Sequence, residues 1–310
     1  MTTTPNYATE MRECAEAIGL NPPEFVTPED KWVTLNGIRM HYLDWGNESK
    51  PPLVLLHGGG LTAHTWDMAA LLLRPHYHMI ALDQRGHGDT EWTPEAQLGE
   101  DNDALMLRDT EAFIDFLGYP QVILCGMSMG GNNSYRYAPT HADRLRLLII
   151  VDVAPDLSSE GQRDMAAFRR DSETLSRFED FLDRAVQFNP NRAPAHLKYS
   201  LMHSLKPAEG GGWTWKQDHR RRTPQDDAAR AAHASSLWTA VREITTPTLL
   251  MRGEVSRILS AENAEATAKA MHDCELVVIP RATHNVQGDN PKDFAAALDA
   301  FVVKRLGEGR

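Results

Sequence analysis

A serine hydroxyl is a weak nucleophile at neutral pH, so it needs a backbone that exposes it and a base that takes its proton. The stretch Gly126-Met127-Ser128-Met129-Gly130 meets the first need. It follows the apolar run Gln121-Val122-Ile123-Leu124-Cys125, which predicts a buried strand, and precedes Gly131 to Ala138, which can continue as a helix. Glycines two before and two after Ser128 allow a strand-to-helix turn tight enough to present the hydroxyl from strained backbone. The bland alternative is a glycine-rich turn without chemistry; the strand before it and the helix after it weigh against that. His284 is the candidate base, singled out from thirteen histidines by its place after the last predicted strand. The oxyanion that develops during attack needs backbone N–H donors fixed in advance. Met129, directly after the serine, should supply one, and Gly59 in His57-Gly58-Gly59-Gly60 the other, with Gly60 its neighbour to check. His57 is expected to fix that loop rather than act as a second base.

The elements that must carry these residues follow from the apolar pattern. A helix spans about Tyr7 to Leu20 and is stopped by Asn21-Pro22-Pro23. Lys31 to Leu35 and Ile38 to Asp44 alternate around Asn36-Gly37, a hairpin signal. Apolar strands follow at Pro52 to Leu56, Tyr77 to Leu82 and Leu145 to Val151, with helices at Trp66 to Leu73 and Asn102 to Leu117 between them. Alternating, almost wholly apolar strands imply an α/β fold, a mostly parallel central sheet with helices on both faces, whose strand ends gather the catalytic loops. From about Pro155 to Glu243 the strand pattern stops, and the length exceeds a plain crossover, which predicts an inserted helical cap. Its Trp213 and Trp215 either line a substrate cavity or fill the cap's own core. Strands resume at Thr246 to Met251 and Glu275 to Ile279, and Pro291 to Leu306 is a closing helix. The expected division is 1–30 as an N-terminal helical extension, 31–154 and 244–310 as the two parts of the core, and 155–243 as the cap.

Composition restricts the partners. With 42% hydrophobic and 24% charged residues the chain is ordinary for a globular protein, and its formal net charge of −11 disfavours nucleic acid and anionic membrane. The basic run Arg220-Arg221-Arg222 reads as a solvated turn. Cys14, Cys125 and Cys274 are too few and scattered for a disulfide framework or zinc site, and Cys125 reads as a small buried residue. No metal cluster or dinucleotide fingerprint is present, so no cofactor is expected. Met1-Thr2-Thr3-Thr4-Pro5 lacks a signal-peptide pattern and no apolar run approaches spanning length, so the expectation is a reduced, cytoplasmic protein. The N-terminal helix is a candidate packing or subunit-contact element, which makes a homodimer one expectation.

Taken together, His57-Gly58-Gly59-Gly60, Asp83-Gln84-Arg85-Gly86-His87-Gly88, the Ser128 turn with Gly131, and Thr283-His284 resemble the α/β-hydrolase fold superfamily, from about Leu53 to Val303. The resemblance implies a serine hydrolase with chain order nucleophile, acid, histidine. It also implies that Asp83, Arg85 and His87 form a structural turn. The sequence departs from the common pattern at the acid. In many members it lies a few residues after Gly253, where this chain has Ser256 and Arg257. Asp152, ending the strand after the Ser128 helix, is the preferred acid, at a separation from the serine similar to that in lactonases acting on zearalenone. Glu254 is its rival. If neither reaches His284, a ligand-binding member with slow or no hydrolysis follows.

The leading expectation is a hydrolase of a small apolar carboxylic ester or lactone, a zearalenone-like macrolactone being the specific case, with Ser128, His284 and Asp152 as triad. A carbon–carbon bond hydrolase of aromatic ring-fission products, which resembles this chain in its Ser-Met-Gly-Gly turn, is the alternative enzyme, and cofactor-free perhydrolases share that turn. Dehalogenases and epoxide hydrolases usually carry an aspartate where this chain has Ser128.

Overall fold

The computed structural model describes residues 8–157, 174–190, 192–220 and 227–307. Arg221 and Arg222 of the basic run, and parts of the predicted cap, lie outside them. The chain opens with helix α1, Ala8–Ala17, followed by the hairpin β1, Glu29–Leu35, and β2, Ile38–Asp44. Asn36 and Gly37, at φ 50° and 78°, make the turn that the sequence predicts there. Strands β3 (Pro52–Leu56), β4 (His78–Leu82), β5 (Val122–Met127) and β6 (Leu145–Val151) alternate with helices α2 (Asp67–Leu73), α3 (Asn102–Leu117) and α4 (Met129–Tyr137). After the insertion come β10 (Thr248–Gly253), helix α8 (Ala261–Ala270), β11 (Cys274–Ile279) and the closing helices α9 (Val286–Asp289) and α10 (Pro291–Leu306).

The eight strands run in the order β1-β2-β4-β3-β5-β6-β10-β11. The pairs β1–β2 and β2–β4 are antiparallel and the remaining neighbours parallel. β3, β4 and β5 are buried at every residue, as a sheet covered on both faces requires. Two apolar layers cover it: one includes Trp66, Phe294 and Phe301, the other Phe113, Tyr135 and Leu237. Cys125 lies in the buried centre, where burial pushes its thiol well above the ordinary range. Helix α1 joins the first layer through Met11, Cys14 and Ala15, so these side chains pack within their own chain.

The insertion differs from the all-helical expectation. Helices α5 (Phe178–Phe188) and α6 (Pro194–Ser204) are accompanied by β7 (Thr174–Leu175), β8 (Leu205–Pro207) and β9 (Trp213–Trp215), which form an antiparallel sheet in the order β7-β9-β8. The glycine turn at Gly211 and Gly212, with φ 89° and 80°, lets the chain reverse between β8 and β9. Phe181, Leu197, Leu201 and Trp215 form a separate small core there. Helix α7 (Asp227–Glu243) buries Leu237 and Val241 against the central sheet's second layer.

The Asp83–Gly88 turn is internal scaffolding. Asp83 accepts hydrogen bonds from Ala63 N (2.6 Å), Asp89 N (2.9 Å) and His41 Nδ1 (2.7 Å). Arg85 forks onto Asp109 through Nε and Nη2 at 2.6 and 2.8 Å. Burial alone would lower the basicity of His41, but its bonds to Asp30 and Asp83 outweigh that and raise its pKa to about 9.

Candidate active site

Strand register brings the predicted residues to one edge of the sheet. Met127 of β5 pairs with Val151 of β6, so Ser128 and Asp152 are the next residues on two adjacent parallel strands. Val151 pairs in turn with Met251 of β10, and Gly253 with Ile279 of β11. The loops after β10 and β11, holding Ser256 and His284, therefore open at the same edge.

Ser128 sits at φ 51°, ψ −111°, between the end of β5 and the start of α4. Such backbone costs about 1–3 kcal/mol in a non-glycine residue and persists only where its surroundings hold it. Here Ser128 N donates to Val151 O at 3.1 Å and Gly130 N to His57 O at 3.1 Å. The flanking glycines are required by space: a Cβ on Gly126 would lie 2.3 Å from Gly130 O, and one on Gly130 would lie 2.3 Å from Leu56 O.

His284 Nε2 lies 3.0 Å from Ser128 Oγ, and His284 Nδ1 lies 2.8 Å from Asp152 Oδ2. An ionised carboxylate only accepts, so Nδ1 carries the proton and Nε2 is left to accept from the serine. Asp152 is fully buried and takes two further bonds, from Gly253 N (2.8 Å) and Ser256 Oγ (2.6 Å). Ser256 Oγ in turn accepts from Ile258 N and Leu259 N, both at 3.2 Å, which commits its own proton to Asp152. Glu254, the rival acid, accepts from Arg281 N at 2.8 Å instead. Sequence reasoning noted Ser256 only as an absent acid. Its role as a donor depends on the register of β6 against β10, which its residue type does not disclose.

The predicted oxyanion donors lie beside the serine. Met129 N–H is the first of α4, where helix geometry provides no acceptor, and Gly59 lines the cavity above Ser128. His57 uses both ring nitrogens internally: Nδ1–H donates to Gly58 O at 2.8 Å and Nε2 accepts from Gln84 N at 3.0 Å. Burial holds its pKa below the usual value. It fixes the Gly58–Gly60 loop and is unsuited to be a second base.

A cavity of about 180 Å³ stands over Ser128 and His284. Leu61, Phe188, Leu197, Leu201 and Trp215 make it largely apolar, while Asn189, Arg192, Ser200 and Gln217 add polar groups. Trp215 thus does both things open to it, packing edge-on against Phe181 at 5.3 Å and lining the cavity, whereas Trp213 packs on Phe178 at 5.6 Å.

Two His–Asp groups lie close enough to suggest a cation, His64–Asp67–His203 and His41–Asp83–Asp89. In the first, the donor atoms lie within 4.8 Å of one another, His64 Nδ1 is bonded to Asp67 Oδ2 at 2.8 Å, and the rings of His64 and His203 stack with centroids 3.6 Å apart. His41 holds its own proton near neutrality, for the reason given above. Among the described residues, no helix is long and apolar enough to cross a membrane.

Comparison with known proteins agrees with this geometry. The alpha/beta hydrolase family matches residues 53–297. The esterase Rv0045c of Mycobacterium tuberculosis is 30% identical over 294 residues, covering 91% of this chain and 91% of its own. A crystal structure of that esterase superposes with a TM-score of 0.75 at 26% identity, over 97% of this chain and 99% of the other. The 2-(acetamidomethylene)succinate hydrolase of Mesorhizobium japonicum is 28% identical, covering 82% of this chain and 88% of its own. The order of strands, the serine turn at the end of β5 and the match over most of the chain lead to one conclusion: this protein belongs to the alpha/beta hydrolase family.

Proposed function

We propose that this protein is a serine hydrolase of carboxylic esters, lactones included. The observation that carries this is the position of His284, with one ring nitrogen 3.0 Å from Ser128 Oγ and the other 2.8 Å from Asp152. His284 takes the Ser128 proton as Oγ attacks the carbonyl carbon. The N–H groups of Met129 and Gly59 hold the resulting oxyanion, and fixed dipoles at that point lower the barrier because the charge exists only there. The imidazolium then protonates the leaving alcohol, leaving an acyl group on Ser128. Water, deprotonated by His284, releases the acid and restores the serine. Asp152 keeps Nδ1 protonated and stabilises the imidazolium in both halves. In a lactone the alcohol remains tethered to the acyl group, so hydrolysis must outrun ring closure.

The apolar cavity favours an ester with an apolar body, and the similarity to an esterase over almost the whole chain favours the same class. The insertion then serves as a cap over the serine. The test is initial rates on p-nitrophenyl esters of increasing acyl length and on lactones that include zearalenone, with wild type and Ser128→Ala. Ser128-dependent ester or lactone hydrolysis is the expected result, and the preferred ring or chain length would describe the cavity. Inactivity on the whole panel, with Ser128-dependent cleavage of a ring-fission dienoate, would replace the ester class by carbon–carbon hydrolysis.

A further inference from the structure

The residue before His284 is tied to the insertion by a buried ion pair. Thr283 donates its backbone N–H to Asp289 Oδ2 at 2.8 Å, and its hydroxyl bonds the same oxygen. The other oxygen of that carboxylate receives Arg192 Nε at 2.7 Å and Asn189 Nδ2 at 3.1 Å. Arg192 and Asn189 lie between α5 and α6 of the insertion, whereas Asp289 ends α9 of the core. Arg192 Nη2 also approaches the carbonyl of Asn285, the residue after His284, at 3.5 Å. The side chains of Arg192 and Asp289 are only 7% and 5% exposed. Burial pushes the Asp289 pKa up, but Arg192 and the Thr283 bonds outweigh it, so the carboxylate stays ionised and the guanidinium is neutralised where it stands. Arg192 lines the cavity, yet its charge already has a counter-ion, which sets it apart from a group waiting for an anionic substrate.

We infer that Arg192 is a positioning residue for His284, acting through Asp289 and Thr283, so that the base is aligned with Ser128 only while the insertion is seated on the core. The inference rests on the serine-hydrolase reading of the site. An imidazole must stay within hydrogen-bond reach of the serine through both half-reactions, and a misplacement of about 1 Å can cost on the order of 100-fold in rate. The loop bearing His284 gains its fixed points on either side from Asp289 and Arg192.

The test uses the full-length protein. Arg192→Met should lower kcat on p-nitrophenyl acetate by roughly tenfold to a hundredfold with KM changed less than about twofold. Asp289→Asn should do the same, and the double variant should cost no more than the worse single change, because both lie on one path. A raised KM with unchanged kcat, or fully additive losses, would overturn the inference. Arg192→Lys serves if Arg192→Met shows no cooperative melting: it keeps the charge without the fork, and wild-type kcat in it would equally overturn the inference. A second readout needs no substrate. The downfield proton resonance of His284 Nδ1–H, identified by its absence in His284→Gln, should broaden or vanish in Arg192→Met or Arg192→Lys. A wild type inactive on every ester would count against the hydrolase reading alone, and the resonance would still decide the role of Arg192: loss upholds it, an unchanged signal refutes it.

Discussion

Ser256 donates its hydroxyl proton to Asp152 Oδ2 at 2.6 Å, the same oxygen that His284 Nδ1 meets at 2.8 Å. The carboxylate is thereby oriented from the β10 loop while it sits at the end of β6. Ser256→Ala removes a charge-assisted bond from a fully buried anion and leaves the N–H groups of Ile258 and Leu259 without their acceptor. The expected outcome is a fall in kcat of roughly tenfold, corresponding to about 1.4 kcal/mol, with KM little changed. Steady-state rates on a p-nitrophenyl ester measure it, and an unchanged kcat would show that Gly253 N alone suffices to orient Asp152.

Asp152 and Glu254 make opposite predictions. Asp152→Asn should lower kcat by about 10³–10⁴-fold, since an amide can no longer hold the tautomer and offset the imidazolium charge. Glu254→Gln should stay within about threefold of wild type, because Glu254 faces Arg281 N rather than the imidazole. A large loss in Glu254→Gln beside a small one in Asp152→Asn would exchange their roles. Circular dichroism of both variants checks that the fold persists.

Gly130 is fixed by space. Its substitution by alanine would place Cβ 2.3 Å from Leu56 O, in backbone that cannot yield without parting β3 from α4. Gly130→Ala should cost about 3 kcal/mol in urea unfolding, the upper end for overpacking, and abolish hydrolysis with it. Gly99→Ala, where a Cβ meets nothing within 4 Å, is the matched control and should leave both unchanged.

Stability should peak near pH 6.5. His41 has its pKa raised from 6.5 to about 9 in the fold. The protonated form is therefore favoured by folding, and its contribution is complete below pH 6.5 and lost as pH rises through 9. The shift corresponds to about 3 kcal/mol. Burial acts the other way on His196 and His203, lowering the first to about 3 and the second well below 6.5. Both are neutral when folded, so their contribution is present above pH 6.5 and falls as the unfolded chain takes up protons below it. Urea midpoints at pH 5, 6.5 and 9 measure both limbs. His41→Gln should flatten the alkaline limb alone; a wild type equally stable at pH 6.5 and 9 would contradict the assignment.

Much of this architecture is legible in the chain because its signals are local. The Asn36-Gly37 hairpin, the apolar runs of β3 to β6 and the glycines around Ser128 each specify their own structure within a few residues. In the sequence only the position of Asp152 at a strand end points to His284, and the reason it works lies in pairing Val151 with both Met127 and Met251, a register no single strand reveals. The strands of the insertion were missed because β7, β8 and β9 are two or three residues long, below the length at which alternation separates a strand from a loop. The Arg192–Asp289 pair joins residues far apart in the chain, and neither has a local pattern that marks it.

The most direct measurement is intact and peptide mass spectrometry of enzyme quenched in acid during turnover of p-nitrophenyl acetate, or after reaction with a fluorophosphonate. A single adduct is expected, on the peptide containing Ser128, absent from Ser128→Ala and greatly slowed in His284→Gln. A protein that stays unmodified, or carries the adduct on another residue while Ser128→Ala hydrolyses at the wild-type rate, would contradict it.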